Sequence, residues 1–117
     1  LLYNTKIKGF SFKFVADRKK AMVCLDIENP EELINLLYFD KLISLKSLLE
    51  NELPRIIFND DYELESGKKI HRIYVPFDGK FSVYNKNTWR DCFEFYMETM
   101  PKFETFFFEY EDVIKNI

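Results

Sequence analysis

The sequence is short of the residues on which most recognisable sites are built. It contains three glycines, one histidine and two cysteines. Three glycines exclude the glycine-rich phosphate loops of Rossmann and P-loop nucleotide binding. The single histidine, His71, excludes a histidine pair and makes any Ser-His-Asp triad depend on that residue. Cys24 and Cys92 lie far apart without a C-x-x-C spacing, so we expect reduced, inert thiols and a cytoplasmic location.

Long apolar runs are absent as well. No stretch approaches the roughly 20 residues that a membrane-spanning helix needs, and no signal-peptide pattern is visible, so the sequence predicts no membrane partner. Glycine and proline are too scarce for a low-complexity or disordered chain. A length of 117 residues predicts one domain over residues 1–117. The first residue is Leu1 rather than Met, and we expect that an N-terminal segment is missing.

Aromatic and charged residues are plentiful instead. Thirteen phenylalanines and seven tyrosines supply large apolar surfaces for a core. The net charge is −3, but the first 20 residues are basic. A nucleic-acid-binding domain usually has a basic excess over its whole length, so this cluster is interpreted first as a solvated surface and only second as a set of phosphate contacts. Its members are Lys6, Lys8, Lys13, Arg18, Lys19 and Lys20.

Residues 9–28 alternate as two strands joined by a bend. Every second residue from Phe10 to Phe14 is aromatic, and every second residue from Ala21 to Ile27 is apolar. If the chain reverses through residues 17–20, all these side chains share one face, which fixes the register. The predicted pairs are Phe14 with Val23, Phe12 with Leu25, and Phe10 with Ile27. Asp17 suits the first position of a type I turn, so "DRKK" is interpreted as a hairpin tip.

A long helix is predicted from Asn29 to about Leu53. Asn29 suits the cap position, Pro30 the first helical position, and Glu32 the acidic position of a capping box. Pro54 ends the pattern. The helix should pack across the sheet through a wide apolar flank, which includes Leu33, Leu37, Leu45 and Leu48.

A second hairpin is predicted over residues 56–77. With Ser66-Gly67 as a two-residue turn, Asp61 faces Arg72 and Tyr62 faces His71. Residues 77–79 then read as a three-residue turn with a left-handed glycine. That turn leads into a short fifth strand containing Phe81 and Val83.

Two helices are predicted for the C-terminal part. Thr88 and Asp91 form a second capping-box pattern, and Pro101 should kink or restart the helix. The buried stripe beyond it contains Phe103, Phe106, Phe107 and Tyr110, whereas Phe108 falls off that stripe. The predicted fold is α+β, with four to five antiparallel strands in the order strand-strand-helix-strand-strand-strand-helix-helix and the helices mainly on one face.

Three stretches resemble an uncharacterised bacterial family known as domain of unknown function 4268. They are "YNTKIKGFSFKFVADRKKAMVCLDIE", "YELESGKKIHRIYVP" and "FSVYNKNTWRDCFEFY". The resemblance covers nearly the whole chain. It implies an intracellular bacterial domain that occurs alone or behind a restriction-nuclease-like domain. Members of that family usually begin with an aromatic-rich helix, which this chain lacks. The resemblance carries no catalytic residues across.

One set of side chains has the composition of a nuclease site. Restriction-type nucleases place an acid and an acid-x-Lys step on adjacent strands, where the carboxylates hold Mg²⁺ or Mn²⁺. Asp26 and Glu28 share one predicted strand, and Lys13 lies on its neighbour. The two D-x-K steps, at residues 17–19 and 78–80, fall in turns. We therefore expect a solvated or salt-paired sheet face with no metal and no cofactor. His71 is expected to be a partly buried, hydrogen-bonded residue rather than a general base.

The leading hypothesis is a non-catalytic interaction domain that binds another protein. Its contacts would use the outer sheet face, with Lys13, Asp26 and Glu28, or the acidic C-terminal helix. The first alternative is a nucleic-acid-binding accessory module that uses the basic residues near the N-terminus, and the second is a divalent-metal-dependent nuclease. A homodimer is compatible with each of these functions.

Overall fold

The computed structural model describes residues 2–117, which form one antiparallel sheet with helices. The strands are β1 (Phe10–Ala16), β2 (Ala21–Ile27), β3 (Ile57–Glu63) and β4 (Lys69–Pro76), in the sheet order β1-β2-β4-β3. Helices α1 (Glu32–Ser44) and α2 (Lys46–Glu52) connect β2 to β3. A 3-10 turn (Lys86–Thr88), α3 (Trp89–Glu109) and α4 (Glu111–Lys115) follow β4. The predicted α+β fold is confirmed, with four strands.

The first hairpin has the predicted register. Phe14 faces Val23, Phe12 faces Leu25, and Phe10 faces Ile27. The Asp17 carboxylate accepts hydrogen bonds from the backbone N–H groups of Lys19, at 3.1 Å, and Lys20, at 2.9 Å. The first D-x-K step, residues 17–19, therefore lies in a turn, and the Asp17 side chain stabilises that turn as predicted.

The core lies between the apolar face of this hairpin and the helices. The Phe12 ring meets Phe103 of α3 edge-on at 5.3 Å and Phe107 at 5.7 Å, a geometry that aromatic rings favour. On the other side of the sheet centre, Phe39 of α1 packs against Phe58 of β3. Thus α3 lies over the β1 side of the sheet, whereas α1 crosses the sheet, because its Tyr38 also packs against Phe10 of β1 at 4.7 Å.

The N-terminal cap predicted for the first helix is wrong. α1 begins at Glu32 rather than at Pro30, with Glu31 at the cap position, and the Asn29 side-chain oxygen accepts the Glu31 backbone N–H at 2.9 Å ahead of the helix. The Asn29 backbone N–H donates to Asn35 Oδ1 at 2.7 Å, and the Asn29 carbonyl accepts from Asn35 Nδ2 at 2.8 Å. The single long helix is also divided at Leu45, whose φ of −100° and ψ of 9° separate α1 from α2.

The register of the second hairpin differs from the prediction. Its loop has three residues, with a Leu64 N–H to Lys68 C=O bond of 2.8 Å and Gly67 at φ 87°. The three-residue loop sets Tyr62 opposite Ile70. A bulge in β3 between Asn59 and Tyr62 then sets Asn59 opposite Arg72. The predicted pairs of Asp61 with Arg72 and of Tyr62 with His71 are therefore wrong. A bulge inserts one extra residue, which reverses the face of every residue beyond it.

Residues 77–85 form no strand in the described chain, so the fifth strand is not formed. Gly79 does not have a positive φ; it accommodates the Phe77 ring, which a Cβ at this position would overlap. Thr88 makes no side-chain cap, because its hydroxyl donates to the Asn85 carbonyl and accepts from Ser82 N–H at 3.0 Å. α3 passes through Pro101 without interruption.

Candidate functional site

Asp26 and Arg72 form a buried ion pair on the sheet face opposite the helices. They lie directly opposite each other on β2 and β4. Arg72 Nε donates to Asp26 Oδ1 at 2.7 Å, and Arg72 Nη2 donates to Asp26 Oδ2 at 2.9 Å. Asp26 is 0% exposed and Arg72 is 4% exposed. This two-bond geometry is the strongest pairing available to a guanidinium and a carboxylate.

Two lysines extend the pair into a network. Lys13 Nζ lies 3.1 Å from Asp26 Oδ2 and 3.0 Å from Glu28 Oε2. Lys68 Nζ reaches the other oxygen of Glu28 at 3.3 Å. Burial acts to raise the pKa of Glu28, but its bonds to Lys13 and Lys68 outweigh burial and hold that pKa below its usual value. Each of the two carboxylates thus contacts two cationic side chains.

Tyr62 lies over the network. Its ring centroid is 4.3 Å from Arg72 Cζ, a cation–π contact, and its edge meets Tyr74 at 5.6 Å. Burial acts to lower the pKa of Arg72, but the Asp26 hydrogen bonds outweigh it and raise that pKa further. Burial also raises the pKa of the neighbouring Cys24 thiol to about 12. Arg72 is therefore a permanent cation beside an un-ionised thiol.

The network brings together the three residues predicted for a nuclease site, Lys13, Asp26 and Glu28. Both Asp26 oxygens point at Arg72 and Lys13, and both Glu28 oxygens point at lysines. Within residues 2–117, no three His, Cys, Asp or Glu side chains come close enough to hold a metal ion. The arrangement can neutralise charge and fix strand register.

His71 lies on the helix-facing side of the sheet, away from this network. Its Nε2 is 2.5 Å from Glu32 Oε1, and its ring packs against Phe39 at 5.4 Å. In the described residues Nδ1 has no hydrogen-bond partner. The prediction of a partly buried, hydrogen-bonded histidine is confirmed, with Glu32 as the partner in place of the predicted neighbour Tyr62.

The comparison with protein families agrees with the sequence resemblance. The family model described as domain of unknown function (DUF4268) matches residues 1–111. This chain belongs to that family. No curated protein and no solved structure matches it. The family description names no activity, so the function of this DUF4268 chain has to be inferred from its geometry.

The basic residues of the DUF4268 chain do not form one surface. Lys6 and Lys8 precede β1, whereas residues 18–20 form the hairpin tip at its other end. The seven residues of β1 separate the two groups by about 23 Å. Lys13, between them, is bound by Asp26 and Glu28.

Sequence reasoning missed two features of this DUF4268 chain. One is the role of Arg72, which no local pattern reveals because its partner Asp26 is 46 residues away. The other is the solvent side of α1, where the apolar side chains of Leu33 and Leu37 lie opposite the buried Leu42. The signal for the second feature is present in "ELINLLYFDKLI", which is apolar on all sides of a helix. In the described chain, no helix has the length and hydropathy needed to cross a membrane.

Proposed function

We propose that this chain is a non-catalytic protein-interaction domain whose contact surface is the solvent side of α1. The observation that carries the proposal is the exposure of three apolar side chains on that side, which ranges from 42% to 67%. A surface helix normally carries polar residues opposite its buried face, and a contiguous apolar patch is typical of a partner surface. The three residues, which are neighbours at helical spacings of three and four and are called the α1 patch below, are Leu33, Leu36 and Leu37.

The border of the α1 patch indicates the chemistry of the partner. Leu36 lines a groove of about 500 Å³ together with the carboxylates of Glu32, Asp60 and Asp61. Of these carboxylates, Asp61 is paired with Lys69 at 3.5 Å and Glu32 contacts His71 Nε2 at 2.5 Å, so Asp60 is the one without such a partner within residues 2–117. An apolar surface with an acidic border favours an apolar segment flanked by basic residues. The partner is accordingly a protein segment of that kind.

Two further features support this proposal. The charged residues considered for catalysis, Asp26, Glu28 and Lys13, are bound to one another and to Arg72. Cys24 is buried and unbridged, as a thiol is in a reducing compartment, which supports a cytoplasmic location. An accessory role beside nuclease-like domains in bacteria, implied by the family resemblance, is consistent with a domain that binds and does not cleave.

The test compares two surface variants as bait in an extract of the source cells. Leu33→Ser with Leu37→Ser removes two of the three side chains of the α1 patch, and Val113→Ser removes an exposed apolar side chain from α4. We expect the wild type and Val113→Ser to retain a common protein that the double variant loses. Retention of the same proteins by all three baits would contradict the proposal. So would DNA or RNA hydrolysis with Mg²⁺ or Mn²⁺ that is abolished by Asp26→Ala.

One observation favours a second function, the binding of single-stranded nucleic acid. The Val83 backbone N–H donates to the Arg18 carbonyl at 3.3 Å, which brings the adjacent Tyr84, 80% exposed, to the basic hairpin tip. Within residues 2–117, Arg18, Lys19 and Lys20 form no ion pair. An exposed ring beside free cations is the arrangement that stacks bases and holds phosphates.

This alternative predicts affinity for an oligonucleotide that falls steeply with salt. Lys19→Glu and Tyr84→Ala should each weaken binding, whereas Lys6→Glu, at the far end of β1, should not. Binding that is insensitive to salt, or that Lys6→Glu weakens as much as Lys19→Glu, would rule out the tip as the site.

A further inference from the structure

α3 carries a second line of exposed apolar side chains. Phe93, Met97 and Phe108 are 54% to 65% exposed, although α3 buries seven other residues. They are spaced four and eleven residues apart, so they lie on one side of the helix. That side faces the free edge of β1: the Tyr3 ring lies between Phe12 and Phe108, at 6.4 and 6.2 Å. We call this line the α3 stripe.

The α3 stripe has side chains of opposite charge on either side of Met97. Arg90 lies seven residues before Met97, and Glu104 lies seven residues after it. Seven residues are two helical turns, so both charges stand on the stripe, each about 10 Å from Met97. In the described part of the chain Arg90 pairs with Glu94 of the same helix, at 3.3 Å, and the Glu104 carboxylate accepts the Tyr3 N–H. The stripe is thus an apolar centre with a positive and a negative end.

Such a stripe is complementary to a copy of itself turned end for end. We propose that α3 binds α3 of a second copy of this chain, antiparallel, with the two-fold axis at Met97. In this arrangement Arg90 of each copy meets Glu104 of the other, and Phe93 meets Pro101. A parallel arrangement would place like charges together, which costs stability. An isologous contact of this kind closes after two copies, so it yields a dimer and not a filament.

The dimer is independent of the interaction proposed for the α1 patch. The α1 patch and the α3 stripe lie on different helices, and both are exposed to solvent in the single chain. Loss of the dimer therefore leaves the α1 patch available, and a protein partner at α1 leaves the α3 stripe available. The two proposals can fail separately.

The first test is the mass of the 117-residue chain in solution. At about 100 μM, which exceeds the dissociation constant of all but very weak dimers, light scattering should give twice 14.2 kDa. Met97→Glu should give 14.2 kDa, and Val113→Glu, at an exposed apolar side chain of α4, should keep the double mass. A wild type that is monomeric at this concentration would overturn the proposal, as would a Met97→Glu variant that remains dimeric and folded.

A second test reads the orientation directly. Met97→Cys places one thiol of each copy beside the axis, so mild oxidation should link the copies. Phe108→Cys should not link them, because its two thiols are about 33 Å apart in the antiparallel dimer. Cys24 and Cys92 are buried, so they should not form links between the copies. Links at Phe108→Cys as efficient as those at Met97→Cys would overturn the antiparallel arrangement.

Discussion

Asp26 accepts two hydrogen bonds from the Arg72 guanidinium at the centre of a sheet face that faces away from the helices. The two residues belong to strands that are neighbours in the sheet but distant in the sequence. Replacement of Arg72 by Met should lower the free energy of unfolding by about 3–5 kcal/mol, because a buried carboxylate then loses its main partner. Urea denaturation followed by circular dichroism measures the change.

A matched surface pair provides the control. Arg55 and Asp78 are both more than half exposed, so Arg55→Ala should change stability by at most about 1 kcal/mol. The double variant Arg72→Met with Asp26→Leu should be more stable than Arg72→Met alone, because it removes the buried charge as well. Equal losses for Arg55→Ala and Arg72→Met would contradict the importance assigned to burial.

Cys24 should be unreactive in the folded protein. Its thiol pKa is raised to about 12 by burial, so at pH 8 only about one thiol in ten thousand is ionised. Burial also raises the pKa of Cys92. A thiol reagent at pH 8 should label neither cysteine before unfolding and both in urea. Rapid labelling of the native Cys92→Ala variant would show that Cys24 is accessible after all.

Glu28 should make the fold sensitive to acid. Its folded-state pKa is lowered, since Lys13 and Lys68 outweigh the opposing effect of burial. A lowered pKa adds stability that is complete above the unfolded-state value of about 4.3 and is lost as the pH falls through the folded-state value. Glu28→Gln should therefore flatten the decline of stability below about pH 4.3, by up to about 1 kcal/mol. Glu65→Gln is the matched control, at an exposed residue of the β3–β4 loop that forms no ion pair within residues 2–117. A decline as steep in Glu28→Gln as in Glu65→Gln would contradict the role assigned to Glu28.

Gly9 and Gly67 should differ in the cost of adding a methyl group. Both have positive φ, 84° and 87°, but only Gly9 is crowded: a Cβ there would lie 2.5 Å from the Asn29 backbone nitrogen. Gly67→Ala should cost about 1–2 kcal/mol, the price of a left-handed alanine. Gly9→Ala should cost more, because backbone atoms must also move. Thermal denaturation measures the two costs, and equal melting temperatures for the two variants would contradict the greater crowding at Gly9.

The pattern of the first hairpin was sufficient to predict its register and its turn. Alternation places Phe12 and Leu25 on one face, and a one-residue slip would expose them, so only one pairing buries both. The Asp17 turn is equally local, since its carboxylate bonds to residues two and three positions away. Asn29, in contrast, has the residue type of a helix cap but lies before the cap position, because its side-chain oxygen accepts the Glu31 N–H and Asn35 holds its backbone N–H and carbonyl.

The α+β class, the first hairpin and the approximate places of the helices can be predicted from the sequence, because hydrophobic periodicity and turn chemistry act over a few residues. The bulge in β3, the Asp26–Arg72 pair and the side of α1 that remains in solvent are visible only in the folded chain. Each of these depends on which strand lies beside which and how much helix surface the sheet can cover. Those contacts join residues far apart in the chain, where no local pattern specifies a partner.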